Sequence, residues 1–277
     1  MKKAGKALNI LWLWPDILNQ HGDRGNVMAL DRVCRLYGIE ANITRVNRLT
    51  DSLRFKAADI VLLGAGELAV IPQVVGALSK RFSELKTWTE KGGVLLATGA
   101  TCAALGVHTI RMDGSHVYGL GLLYMECRER EAVLGDDLIF RIPGIGAFED
   151  REWGSHPPPS WADGNAAFST VTGIQIQMAD ITLASGQQPF GEVVYGYGNN
   201  GGKAEGAVRD GIVFTNALGP VLVKNPWLTL ALIQKALKRK APDMDPGELR
   251  FDPALFGLEM ASATAIRSFN DTKERPK

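Results

Sequence analysis

The stretch Leu95–Gly106, LLATGATCAALG, decides how the chain is read. GGVLLATG, which overlaps it, reads as a buried strand, and the small residues that follow read as its hand-over to a helix. A strand therefore hands over to a helix at a sharp elbow, a backbone that in many hydrolases displays a nucleophile. Working outward, Leu8 to Trp14 form a continuous apolar run stopped by Pro15, and DIVLLGAGE is a second apolar run that ends in small residues. Both read as strands buried on two faces. Between them, Val27, Leu30, Val33 and Leu36 recur at helical spacing with Gly38 as a stop, and ANITRV follows as a strand. A helix over residues 76–91 carries Leu78, Phe82, Leu85 and Trp88 on one face before the opening strand. Strands alternating with helices predict a doubly wound, mostly parallel α/β sheet flanked by helices.

Beyond about residue 115 the texture changes. GLGLLYMEC, DLIFRI, STVTGIQIQM and GEVVYGYG read as shorter strands joined by turns, DGIVFTNALGP as one more, and PWLTLALIQKALKRK as a closing helix. The Pro-, Gly- and charge-rich piece FEDREWGSHPPPSWADGN, with Trp153 and His156, reads as an exposed loop, so residues 144–168 are expected to be an insertion. The expectation is one α/β unit over residues 1–240 and an extension over 241–277, whose polar and apolar residues show no clear period.

The chain of 277 residues is 45% hydrophobic, enough to fill a core, and its net charge of +1 offers no electrostatic argument for nucleic acid or a membrane surface. Cys34, Cys102 and Cys127 are too few and too scattered for a disulfide framework or a zinc knuckle, which fits a reducing cytoplasm. Cys34, on the apolar face of the first helix, reads as a core residue, and Cys127 has no evident role. The basic start and short apolar run, broken by Pro15-Asp16, read as a first strand rather than a signal peptide. No stretch approaches the roughly 20 apolar residues of a membrane helix. Nothing calls for a metal or a cofactor.

In open parallel sheets chemistry gathers at the carboxyl ends of strands. Three such ends carry small or polar residues: Asn19, Asp23, Arg24 and Asn26 with His21 after the first strand, Gly64-Ala65-Gly66-Glu67 after DIVLL, and the elbow itself. Small residues there leave room for a ligand, and they equally allow tight packing of strand against helix.

Several blocks resemble the class I glutamine amidotransferases of the cobyric-acid-synthase and GatD type. PDILNQHGDRGNVMALDRVCRLYGI is similar to their opening, DIVLLGAGEL to the turn that supplies an oxyanion-hole amide, and DGSHVYGLGLL to a downstream turn. GIQIQMADIT resembles their Gly-aromatic-Glu-x-His-Met-Gly-Arg-Thr stretch, VVYGYGNNGGKAEGA is close to the GatD pattern, and TNALGPVLVKNPWL resembles their Thr-Tyr-x-His-Gly-Pro block. In order, these span roughly residues 8 to 235. The resemblance implies a flavodoxin-like sheet, and a pocket formed by Gly64, Ala65, Gly66, Glu67 and Ala100.

Such a glutaminase needs a cysteine thiolate, a histidine to move protons and backbone N–H groups for the oxyanion. With Leu96-Ala97 and Leu105-Gly106 in register with the family's elbow, the nucleophile position is Gly99 and Cys102 lies three residues late. Three residues of helix carry a side chain roughly 4.5 Å along the axis, away from the elbow. The catalytic histidine position is Leu218, the histidine of the Glu-x-His stretch is Gln177, and the following arginine is Asp180. Losing nucleophile and base together is the pattern of a retired active site. The resemblance then implies a non-catalytic companion of an ATP-dependent, Mur-ligase-like synthetase. Two alternatives stand beside it: a module that binds glutamine or another small amine-bearing ligand, and a glutaminase acting through Cys102 in a displaced geometry.

Overall fold

The computed structural model describes residues 7–143, 168–243, 249 and 251–272. The first half runs β1 (Ala7–Leu13), α1 (Arg24–Leu36), β2 (Glu40–Val46), β3 (Ile60–Leu63), α2 (Ile71–Ser79), α3 (Phe82–Glu90), β4 (Val94–Thr98) and α4 (Cys102–Leu105). There follow β5 (His108–Ile110), β6 (His116–Tyr118), β7 (Met125–Pro143), β8 (Phe168–Leu183), β9 (Gly191–Tyr195), β10 (Ala204–Glu205), β11 (Ala207–Arg209), β12 (Ile212–Thr215) and β13 (Ala217–Leu218). The chain closes with α5 (Val221–Lys224), α6 (Pro226–Lys240) and α7 (Gly257–Asp271).

Among the described residues one sheet has the order β11-β12-β4-β3-β1-β2, parallel except for the edge strand β11. This is the flavodoxin-like arrangement, with its topological switch point between β1 and β3. The apolar runs are continuous because both faces are covered. Ile60 and Leu62 enter the core under α1 and α6, whereas Val61 and Leu63 enter the core under α2 and α3. Helix α1 ends where the sequence places its stop. Gly38 has φ +66°, its N–H donates to Arg35 at 3.2 Å, and the Ile39 N–H donates to Cys34 at 2.8 Å, which satisfies the last turn's carbonyls.

Three expectations change. The single helix over residues 76–91 is two helices, α2 and α3, broken at Lys80-Arg81. The break turns Trp88 so that its indole N–H donates to the Ala58 carbonyl at 2.9 Å beside Phe55. The series of short strands is instead dominated by one long ribbon, β7 against β8, in which a bulge between Glu129 and Leu134 separates two regular ladders. The alternation Met125, Cys127 inward and Glu126, Arg128 outward is strand periodicity. The tail contains helix α7, tied to α1 by an Arg32–Glu259 ion pair at 2.5 Å. The proposed insertion, with Trp153 and His156, lies outside the described residues apart from Phe168, the first residue of β8. No helix among the described residues is long and apolar enough to cross a membrane.

Candidate functional site

The carboxyl ends of β1, β3 and β4 meet at one cleft. At the elbow, Thr98 is extended, Gly99 has φ +59°, and residues Gly99–Thr101 make one 3-10 turn into α4. That left-handed conformation costs an L-residue roughly 1–2 kcal/mol and glycine almost nothing. A side chain at 99 would also be crowded, because a Cβ placed there would stand 2.9 Å from the Ala65 Cβ and 3.5 Å from Leu218 Cδ2.

Leu218 reaches the elbow through β13, which pairs antiparallel with β8 so that Leu218 lies opposite Ile174 and Ala217 opposite Gln175. It is 1% exposed and carries no group that can exchange a proton. Gln177 lines the same cleft, but its amide is spent on structure: Nε2 donates to the Ala179 carbonyl at 2.7 Å and the Asn199 carbonyl at 2.9 Å, and Oε1 accepts from Gln175. Gln175 in turn accepts from the Tyr197 and Gly198 N–H groups, both at 3.1 Å. The two glutamines pin the turn at residues 197–199 to β8. Asp180, expected from the resemblance to stand at the family's arginine position, accepts from Arg130 at 2.6 Å, and the guanidinium lies over the Tyr197 ring.

Cys102 is 2% exposed at the start of α4, lines the cleft, and directs its thiol to the Ala100 carbonyl at 3.8 Å. Beneath it, Cys127 is pushed well above the usual thiol range by its hydrogen bond with Cys102 and then by burial.

The polar cluster after β1 divides. Asp23 is buried and acts as a tie between strand ends: its Oδ2 accepts from the Ala65 N–H and from the Thr98 hydroxyl at 2.5 Å, and its Oδ1 accepts from Asn26 at 2.9 Å. Burial raises its carboxyl above the usual range even though these donors pull the other way. Asn26 continues the tie by accepting from the Leu222 N–H at 2.9 Å. Asn19 caps the turn into α1 by accepting from the Arg24 N–H at 2.7 Å, while the Arg24 side chain faces solvent. Neither Asn19, Asp23, Arg24 nor Asn26 lines the cleft; their neighbours Gln20 and His21 do, His21 with φ +56°.

The glycine-rich turn after β3 is shaped chiefly by packing. A Cβ on Gly64 would meet the Leu18 carbonyl at 2.5 Å, and one on Gly66 the Leu18 side chain at 2.6 Å. The Ala65 N–H, expected to serve an oxyanion, is turned to Asp23 because that buried carboxylate needs its donors. Ala65, Gly66 and Ala100 line the cleft and the exposed Glu67 does not.

The sequence reading missed a buried network behind Leu218. Glu205 accepts from the Thr215 hydroxyl at 2.7 Å, the Asn216 N–H at 2.8 Å and the Asn216 side chain at 3.0 Å. Burial raises its carboxyl above the usual range against those donors. The only signal in the sequence was a polar pair, Thr215-Asn216, inside an otherwise apolar block.

No family model matches the chain. It is 28% identical over 243 residues to the GatD subunit of lipid II isoglutaminyl synthase (glutamine-hydrolyzing) of Staphylococcus aureus strain N315, covering 87% of this chain and 89% of that one. To the GatD subunit of Streptococcus pneumoniae strain R6 it is 26% identical over 240 residues, covering 84% and 82%. Among solved structures, PurLQS from Thermotoga maritima shares the fold, with a TM-score of 0.51 at 10% identity over 84% of this chain and 98% of that one. The chain is thus similar to two GatD subunits over more than four-fifths of every chain, and it has the fold seen in PurLQS.

Proposed function

We propose that this chain is a GatD-like subunit that does not hydrolyse glutamine and that stabilises, or shapes the substrate site of, an ATP-dependent Mur-ligase-like synthetase in the cytoplasm. One observation carries the reading: the elbow positions Gly99, which has no nucleophile, against Leu218, which has no proton to move. The rest of the architecture is kept around them, including the Asp23 tie and the glutamine pair. In this reading residues 1–240 form the amidotransferase-like unit and 241–277 an extension to it. The GatD relatives are subunits of a glutamine-hydrolyzing synthase; in this reading the subunit role carries over and the hydrolysis does not.

The test is glutamate release from glutamine by the purified chain, alone and with a Mur-ligase-like synthetase from the same organism, together with Cys102→Ala. The expected result is no glutamate above buffer, with a gain in the ligase's thermal stability or ammonia-dependent activity. Glutamate that disappears on Cys102→Ala would overturn the reading in favour of a displaced nucleophile.

A further inference from the structure

Asn216 is 4% exposed and lines the cleft beside Gly99 and Leu218. Both hydrogens of its side-chain amide are committed, one to Asn199 Oδ1 and one to Glu205 Oε2, each at 3.0 Å. Asn199 is itself fixed, because its Nδ2 donates to the Gly206 carbonyl at 2.9 Å and its Oδ1 accepts from the Gly206 N–H at 2.8 Å. The Asn216 amide therefore has one orientation, since turning it over would set its oxygen against two acceptors. Its Oδ1 is the group left for the cleft, and no described residue donates to it. A rigid, nearly buried acceptor calls for a hydrogen-bond donor, and the Glu205 carboxyl behind it, which accepts every hydrogen bond it makes, favours a cationic one.

The remaining walls narrow the class. Leu218, Leu68 and the Ala65 methyl are apolar. Gln177 has already spent its N–H groups on main-chain carbonyls. Among the described residues the lining carries neither lysine nor arginine, so there the carboxylate of an amino acid would find only His21 as an ionisable cationic partner.

We infer that the cleft holds a small primary amine or ammonium ion through the Asn216 carbonyl oxygen. The inference rests on the non-hydrolytic reading, because a subunit that releases no ammonia from glutamine is free to take an amine directly.

The experiment follows the melting temperature of the full chain against methylammonium chloride, with tetramethylammonium chloride and glutamine as parallel arms at equal ionic strength. The expected result is a saturable rise in Tm with methylammonium and none with tetramethylammonium, which has no N–H to donate. Asn216→Leu should weaken methylammonium by about tenfold. Should that variant fail to fold, Ala100→Phe, which fills the cleft from its partly exposed wall and leaves the Asn216 network intact, should abolish the response. Equal responses to both ammonium salts, no response to either, or saturation by glutamine without methylammonium would each overturn the inference. Methylammonium cannot be hydrolysed, so the two failures are distinguishable: glutamate release overturns the non-hydrolytic reading on which this inference rests, whereas a missing methylammonium response overturns the inference alone.

Discussion

Gly99 and Leu218 meet across the cleft: a Cβ on Gly99 would stand 3.5 Å from Leu218 Cδ2, so the two positions that resemble a nucleophile and its base are neighbours in space although 119 residues apart in the chain (218 − 99). Restoring both groups is the direct experiment. Gly99→Cys with Leu218→His is expected to release glutamate from glutamine above the wild-type background, and each single variant to stay at background. Gly99→Cys should also lose about 1–2 kcal/mol in urea denaturation, from the left-handed backbone, with a further loss from the contact to Ala65.

Asp23 joins three donors from different elements, so Asp23→Ala should unfold at markedly lower urea. Stranding the Ala65 N–H, the Thr98 hydroxyl and the Asn26 amide is expected to cost about 3 kcal/mol in total. A cost below about 0.5 kcal/mol, within the range of surface substitutions, would mean that the tie is not formed in solution.

Asp23 and Glu205 both have carboxyls raised by burial from ordinary values of 3.8 and 4.5. Above those values the unfolded chain has released protons that the native state still holds, so the stability these two groups contribute is fully present below them and is lost as pH rises through the raised native values. Urea midpoints taken from pH 4 upward should show this decline, and Asp23→Asn and Glu205→Gln should each flatten part of it. A variant whose slope matched that of the wild type would exclude its residue as a source.

Gly25, near the start of α1, lies against the turn that follows Leu218. A Cβ there would be 2.2 Å from Pro220 Cγ and 3.3 Å from Val223. Gly25→Ala is expected to destabilise the fold by about 1–3 kcal/mol through overpacking, read as a lower urea midpoint.

All three thiols are buried, and burial pushes Cys34 up to about 12. With Cys127 also raised, native protein at pH 8 should react slowly with an aromatic disulfide reagent, and Cys102, at the cleft, should react first. In denaturant all three should react at once; rapid labelling of Cys34 in native protein would contradict its place in the core.

The parallel sheet was legible in the chain because strands covered on both faces must be apolar at every position, as in ILWL, IVLL and VLLA, and because helical spacing and Gly38 marked α1. The glycine elbow was legible too, since small residues between a buried strand and a helix leave few backbones to choose from. What the linear order did not contain was partnership. Charge alternation in RERE concealed a long ribbon, and the break at Lys80-Arg81 left no mark in the apolar spacing of residues 76–91. Asn216 and Glu205 were ordinary polar letters until folding removed them from water and forced each donor to find an acceptor. Local residue type determined the strands, the first helix and the elbow; burial, a property of the assembled layers, decided which polar atoms were spent on the scaffold and which one was left facing the cleft.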